Sequence, residues 1–248
     1  SRLLRRPITD YRMDDIGCYM EHKIIKNIDS HDALLDYWTE NFPIKKWPFN
    51  RDGIVSPEHW AKADLKVLFV LKETNKATED VVKAINNALV KKTSGWWRGK
   101  VLSRVGRWAF GLANYSGAVP SFNDAKAHGK DATWSIAYMN MRKTAGGART
   151  NKKSFNFHVK EYAPYIRRQI ELIKPDVVVL GGTYKPVKAH VFPELNHVCK
   201  RIHLHNDIVF INVHHPAARA NSSCIYHQLM DSYHNYKTNH EDKYLLIE

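Results

Sequence analysis

Four short, mostly apolar runs constrain this chain more than anything else in it: KVLFVL at 66–71, WSIAYMNM at 134–141, DVVVLGG at 176–182 and IVFINV at 208–213. A strand with one wet face alternates apolar and polar residues, whereas a run apolar at nearly every position is buried on both faces. Helical stretches separate the runs. Leu34, Leu35, Trp38 and Phe42 recur at helical spacing between Ser30, a capping residue, and Pro43. Val81, Ile85 and Leu89 mark a helix after the first run, and GWWRGKVLSRVGRWAFGLANY is a second helical stretch. Tyr165, Ile166, Ile170 and Ile173 share one face before Pro175, and IYHQLMDSYHNY closes the pattern. WPFNRDGIVSPEHW and RKTAGGARTNKKS read as loops. Strands alternating with helices predict an α/β fold, three layers deep, around a short parallel sheet. In such sheets the site lies beyond the carboxyl ends of the strands.

At 248 residues the chain can bury about three quarters of its unfolded surface, so it needs no metal or disulfide staple. Residues 1–19, with four arginines and no apolar core, read as a leader or basic arm, not a secretory signal; residues 20–248 read as one domain. Lys and Arg total 38 against 25 Asp and Glu, a net charge of +13. That excess suggests a polyanionic partner, nucleic acid or an anionic membrane surface. No apolar run approaches the roughly 20 residues of a membrane helix. Cys18, Cys199 and Cys224 form no CxxC pair, which excludes a four-cysteine metal site and fits a reducing compartment such as the cytoplasm.

The residues just past each run carry the chemistry. The first delivers Lys72, Glu73, Thr74 and Asn75; the second, Asn140, Arg142 and Lys143; the third, Gly181 and Gly182; the fourth, His214, His215 and Pro216. A carboxylate stabilises a developing cation or orients water. An Asn side chain, with one acceptor and one donor group, suits the edge of a nucleobase. A His donates to an oxygen that gains negative charge.

In order and position these motifs resemble the uracil-DNA glycosylase superfamily. VLFVLKETN matches its first strand and catalytic motif, AYMNMRK the strand ending in a base-reading Asn, YIRRQIELIKPDVVVLGG a helix leading to a Gly-ended strand, and NVHHPAAR the His-Pro motif. The resemblance spans about Phe49 to Tyr236. It implies four parallel strands in the order 2-1-3-4 and a monofunctional DNA glycosylase that flips a pyrimidine and leaves an abasic site. Glu73 and His215 are then catalytic, and Asn140, Asn75 and Thr74 face the base. Lys72, Arg142, Lys143, Lys152, Lys153, Arg219, Trp96 and Trp97 contact DNA, with the loop from Ala217 to Ala220 pressing into the vacated stack. The expected protein is a monomer on double- or single-stranded DNA, away from membranes, with no metal or organic cofactor. Leu71 and Thr74 stand where the family has Gly and Pro, and Asn75 replaces the Tyr that walls off the pyrimidine C5. Uracil and a bulky C5-modified cytosine of phage DNA therefore both remain as substrates, with repair or antiviral defence as the setting.

Bland readings stand beside these. Glu73 is also a strand-end carboxylate that a neighbouring lysine can pair, and Asn140 a turn residue. Trp96 and Trp97 either stack on bases or pack in the core. His203 and His205 form an HxH pair that either ligates a metal or shares a strand face. The rival functions are a metal-dependent nuclease and an idle DNA-binding module.

Overall fold

The computed structural model describes residues 20–42, 48–91, 97, 99–147 and 149–240. Their seven strands form one mixed sheet: β1 (Gly53–Ile54), β2 (Val67–Leu71), β3 (Ile136–Asn140), β4 (Val177–Gly181), β5 (Asn196–Cys199), β6 (Ile202–His205) and β7 (Ile208–Val213). The order is β1-β3-β2-β4-β7-β6-β5. The α/β class stands, but the short four-stranded parallel sheet does not. The four apolar runs form only the parallel centre, β3-β2-β4-β7. β1 adds an antiparallel edge against β3, and the β5–β6 hairpin adds another against β7. These three flanking strands are short and partly polar, so they lack the apolar signature of the four central ones.

Alternation along β2 explains its unbroken run. Val67, Phe69 and Leu71 join one core, Leu68 and Val70 the other, so each face needs apolar side chains. On the second face lie α1 (His31–Glu40), α6 (Lys152–Glu161) and α7 (Ala163–Ile173). On the first lie α3 (Val81–Val90), α4 (Lys100–Ala113), α5 (Phe122–Ala132) and α8 (Ser222–Asn239). Ser30 caps α1 as expected, its hydroxyl accepting from the Ala33 N–H at 3.2 Å. α7 ends at Lys174, whose left-handed φ of 53° precedes Pro175.

Helices also lie where the sequence carries no clear helical pattern. Residues 57–62 form α2 (Pro57–Lys62) within the Pro- and Gly-bearing stretch. The basic loop after β3 ends early, because α6 begins at Lys152 with Asn151 as its cap. α5 buries little apolar surface of its own and packs through Ala125 and Gly129. There Gly129 and Gly106 of α4 bring two helix backbones together, and a Cβ at Gly129 would lie 2.9 Å from the Arg107 nitrogen. No helix among the described residues is long and apolar enough to cross a membrane.

Candidate functional site

The carboxyl ends of the four parallel strands line up. Leu71 pairs with Asn140 in register, and Gly181 pairs with Val213. Beyond β2 and β3 the ladder continues into the loops: the Met141 N–H donates to the Leu71 carbonyl at 3.0 Å, and the Arg142 N–H to the Lys72 carbonyl at 2.9 Å. The Gly146 N–H reaches the Thr74 carbonyl at 3.0 Å. The two loops therefore run side by side, with Glu73 between them.

The Glu73 side chain is only 4% exposed. Its Oε2 accepts from Arg142 Nη1 at 3.4 Å, and its buried Oε1 has no partner among the described residues. Gly146 passes so close that a Cβ there would overlap the carboxylate. Glycine at 146 is thus a steric requirement of Glu73's position. Arg142 holds all its side-chain contacts at long range, with Thr144 Oγ1 at 3.3 Å and Ser154 Oγ at 3.4 Å besides Glu73. It stays 20% exposed.

Asn140 ends β3 almost fully buried, its Nδ2 without a partner. Its backbone N–H donates to Asp52 Oδ2 at 2.8 Å. Asp52 Oδ1 accepts from Lys143 Nζ at 2.6 Å and from Gln169 Nε2 at 2.8 Å, and Gln169 reaches His31 Nε2 at 3.0 Å. Burial pushes the Lys143 ammonium below its ordinary pKa, with Asp52 opposing, and burial likewise lowers His31. Lys143 is therefore not a DNA contact: it is wholly buried, ion-paired, and 5.3 Å from the Trp38 ring centroid. Asp52 was missed in the sequence because it sits in an NRDG stretch that reads as a turn. Pairing of Gly53 with Tyr138 in β1–β3 carries it under Asn140.

His215 leaves β7 on the opposite side of the edge. The Ala217 N–H donates to its Nδ1 at 3.1 Å, so the neutral ring carries its proton on Nε2. Burial, with Lys72 adding to it, brings the ring's pKa down to about 4. His215 is thus a neutral donor near neutrality. Lys72 acts on His215 while Glu73 meets Arg142, so consecutive residues serve the two sides of the edge. Arg219 is exposed in the loop that follows.

That loop is held from below by Arg104, which sequence reasoning missed. Its Nη1 donates to the carbonyls of Pro216 and Ala218 at 2.7 and 2.9 Å, its Nη2 to Ala220 at 2.7 Å and its Nε to Ser222 Oγ at 3.0 Å. Arg104 is 4% exposed. A signal existed: Arg104 stands on the apolar stripe with Trp108 and Leu112, where a cation needs a buried partner.

Other expected positions fare differently. Thr74 is buried and its hydroxyl accepts from Asn50 Nδ2 at 2.7 Å, so it braces the loop and does not line an open pocket. Asn75 is exposed. Trp97 packs against the core beside Gly106, which makes it a packing residue, and Trp96 lies outside the described residues. Lys152 and Lys153 are exposed in the first turn of α6. His203 stacks on Tyr184, ring centroids 4.4 Å apart, and His205 lies 3.5 Å from Glu194. Among the described residues no three His, Cys, Asp or Glu side chains are grouped to hold a metal ion. No protein-family model matches the chain, and no curated protein is significantly similar to it.

Proposed function

We propose that this chain is a DNA glycosylase that hydrolyses the N-glycosidic bond of a pyrimidine nucleotide flipped out of DNA, leaving an abasic site. The observation that carries the reading is Glu73: a buried carboxylate just past a central strand, with one oxygen unpaired by any described group. Buried acceptors are normally satisfied, and an exception at a strand-end site is where a reacting water or a developing cation is to be met. Glu73 then stabilises the oxocarbenium-like sugar and orients the water that adds to C1′. The base departs with the bonding electron pair, and His215 donates from Nε2 to the base oxygen that gains charge. Because Nε2 is the protonated nitrogen of a neutral ring, the donor needs no acid pH. The unpartnered Nδ2 of Asn140, buried at the end of β3, is the donor this reading assigns to a base edge. Arg219 heads the loop that enters the vacated stack, and the +13 charge holds phosphates.

Substrate choice turns on the C5 side of the pyrimidine. Thr74 is engaged by Asn50, which leaves Asn75 as the polar group there. The test pairs two DNAs, one containing uracil and one carrying glucosylated hydroxymethylcytosine, with mass spectrometry of the released bases. Release of either base, giving an EDTA-resistant site that breaks on alkali, supports the reading; release of neither, or EDTA-sensitive strand cleavage, overturns it.

A second reading, an idle DNA-binding module, draws on the cover over Glu73 by Gly146 and Arg142. It predicts salt-sensitive DNA binding with no base released from any substrate.

A further inference from the structure

Helix α6 presents a face that the strand-end chemistry does not use. Phe155, His158 and Val159 are its buried residues. Lys153, Phe157 and Lys160 recur at i, i+4 and i+7, one stripe of a helix. Phe157 is 70% exposed, and it is the one aromatic among the described large apolar side chains that stand in solvent. Both lysines of the stripe are exposed, as is Lys152 beside them. The helix has a single acid, its last residue, Glu161. With a rise of about 1.5 Å per residue, Lys153 lies about 6 Å along the axis from Phe157 on one side and Lys160 about 4.5 Å on the other. A ring flanked by two cations at that spacing matches a base flanked by the phosphates of its own strand.

The stripe is connected to the site. Ser154, next to Lys153, accepts from Arg142 Nη1, and the same guanidinium nitrogen reaches Glu73. A strand with its reacting nucleotide at Glu73 and a phosphate near Arg142 continues naturally along α6.

We propose that α6 binds a single-stranded stretch of DNA beside the reacting nucleotide, with one unpaired base stacked on Phe157 and phosphates on Lys153 and Lys160. A duplex keeps its base faces inside its own stack, so Phe157 selects unpaired DNA, while the lysines alone hold either form. The proposal rests on the reading that the strand at Glu73 is DNA. It is therefore tested by binding, apart from base release.

The probes are a fluorescent oligothymidylate of about twenty nucleotides and the same strand paired with oligoadenylate, each titrated with the full chain. Phe157→Ala is expected to weaken binding to the single strand about tenfold, the effect of one lost stacked base, and to leave duplex binding within about twofold. Phe157→Trp adds a reporter whose emission is quenched by the single strand and not by the duplex. Replacing Lys153 and Lys160 by Ser is expected to flatten the salt dependence on single strands by about 1.4 in log–log slope, about 0.7 for each phosphate. Unchanged single-strand affinity in Phe157→Ala, or equal weakening on both probes, overturns the proposal. So does a wild-type dimer that Phe157→Ala turns into a monomer, because the face then binds protein. Loss of single-strand binding in a protein that releases no base sinks the glycosylase reading alone; normal binding in Phe157→Ala with base release intact sinks this proposal alone.

Discussion

Two arginines hold the two sides of the strand-end edge, and they do so in opposite ways. Arg104 lies under the His215 loop, 4% exposed, with four donations of 2.7–3.0 Å to three carbonyls and one hydroxyl. Arg142 lies beside Glu73, 20% exposed, with three contacts of 3.3–3.4 Å. Short, multiple, buried bonds fix a loop in one shape, while long bonds at a half-open site are readily exchanged. The His215 side is built as a rigid support. On the Glu73 side the backbone and the Asp52–Lys143 pair beneath it are held by short bonds, whereas the side chain that covers the carboxylate is held by long ones alone.

The foundation of the Glu73 side is the sharpest place to break that contrast. Asp52→Ala leaves Lys143 Nζ buried without its carboxylate and frees the Asn140 N–H. Loss of one partner of a buried ion pair typically costs about 3–5 kcal/mol. A urea midpoint close to wild type would show that the pair is not what holds this side. Glu73→Gln comes next. It keeps shape and fold but removes the charge, so base release should slow by at least about 10², equivalent to roughly 2.7 kcal/mol, with DNA affinity retained. Turnover near wild type in that variant would remove Glu73 from the chemistry.

Arg104→Met tests the rigid side. Its carbonyl partners lose their donor, and a destabilisation of about 2 kcal/mol is expected. Lys at 104 should recover only part of this, because an ammonium cannot span the acceptors that the planar fork reaches. Full rescue by Lys would mean that charge and not geometry holds the loop. Arg142→Ala is the contrasting variant and the smallest effect. Its bonds are all 3.3 Å or longer and water can take its place beside Glu73, so stability should fall by only about 1 kcal/mol. The salt dependence of duplex binding should flatten by about 0.9 in log–log slope if Arg142 neutralises one phosphate. An unchanged slope would make Arg142 a structural partner of Glu73 only.

Acid pH should also act on the rigid side. The His215 pKa is depressed to about 4 in the folded chain against an ordinary 6.5. Below 6.5 the unfolded chain takes up a proton that the folded chain refuses, so stability present above pH 6.5 falls as the pH drops through 4. His203, lowered by burial to about 4, and His158, to about 3, act in the same direction. His215→Asn should lose its share of this decline, visible as a shallower fall of the melting temperature between pH 6.5 and 4. Base release itself should hold its rate down to about pH 5, since the ring stays neutral until the pH nears 4; a rate already halved at pH 6.5 would contradict the lowered pKa of His215.

Much of the edge is legible in the sequence. The apolar runs marked β2, β3, β4 and β7 because both faces of a central strand are buried, and the residues following each run had to emerge at one end of the sheet. The places of Glu73, Asn140 and His215 at or just past strand ends follow from that pattern. The three flanking strands are not legible, since stretches of two to four residues, short or partly polar, carry no two-faced apolar pattern. Helix α5 escaped for a related reason: it packs through glycine and alanine, and a small-residue contact leaves no periodic apolar signal.

Local pattern thus determined the four central strands, where they end, and which polar groups stand at those ends. It did not determine which charges face solvent. Lys143 looked like its neighbour Arg142, yet one is sealed on Asp52, 91 residues earlier, and the other is half open. Arg104 looked like one cation among many, yet its acceptors lie 112 to 118 residues further on. Burial of a charge depends on whether the fold delivers a partner through space. That is decided by strand order and helix packing, and no periodicity within a few turns of the residue records it.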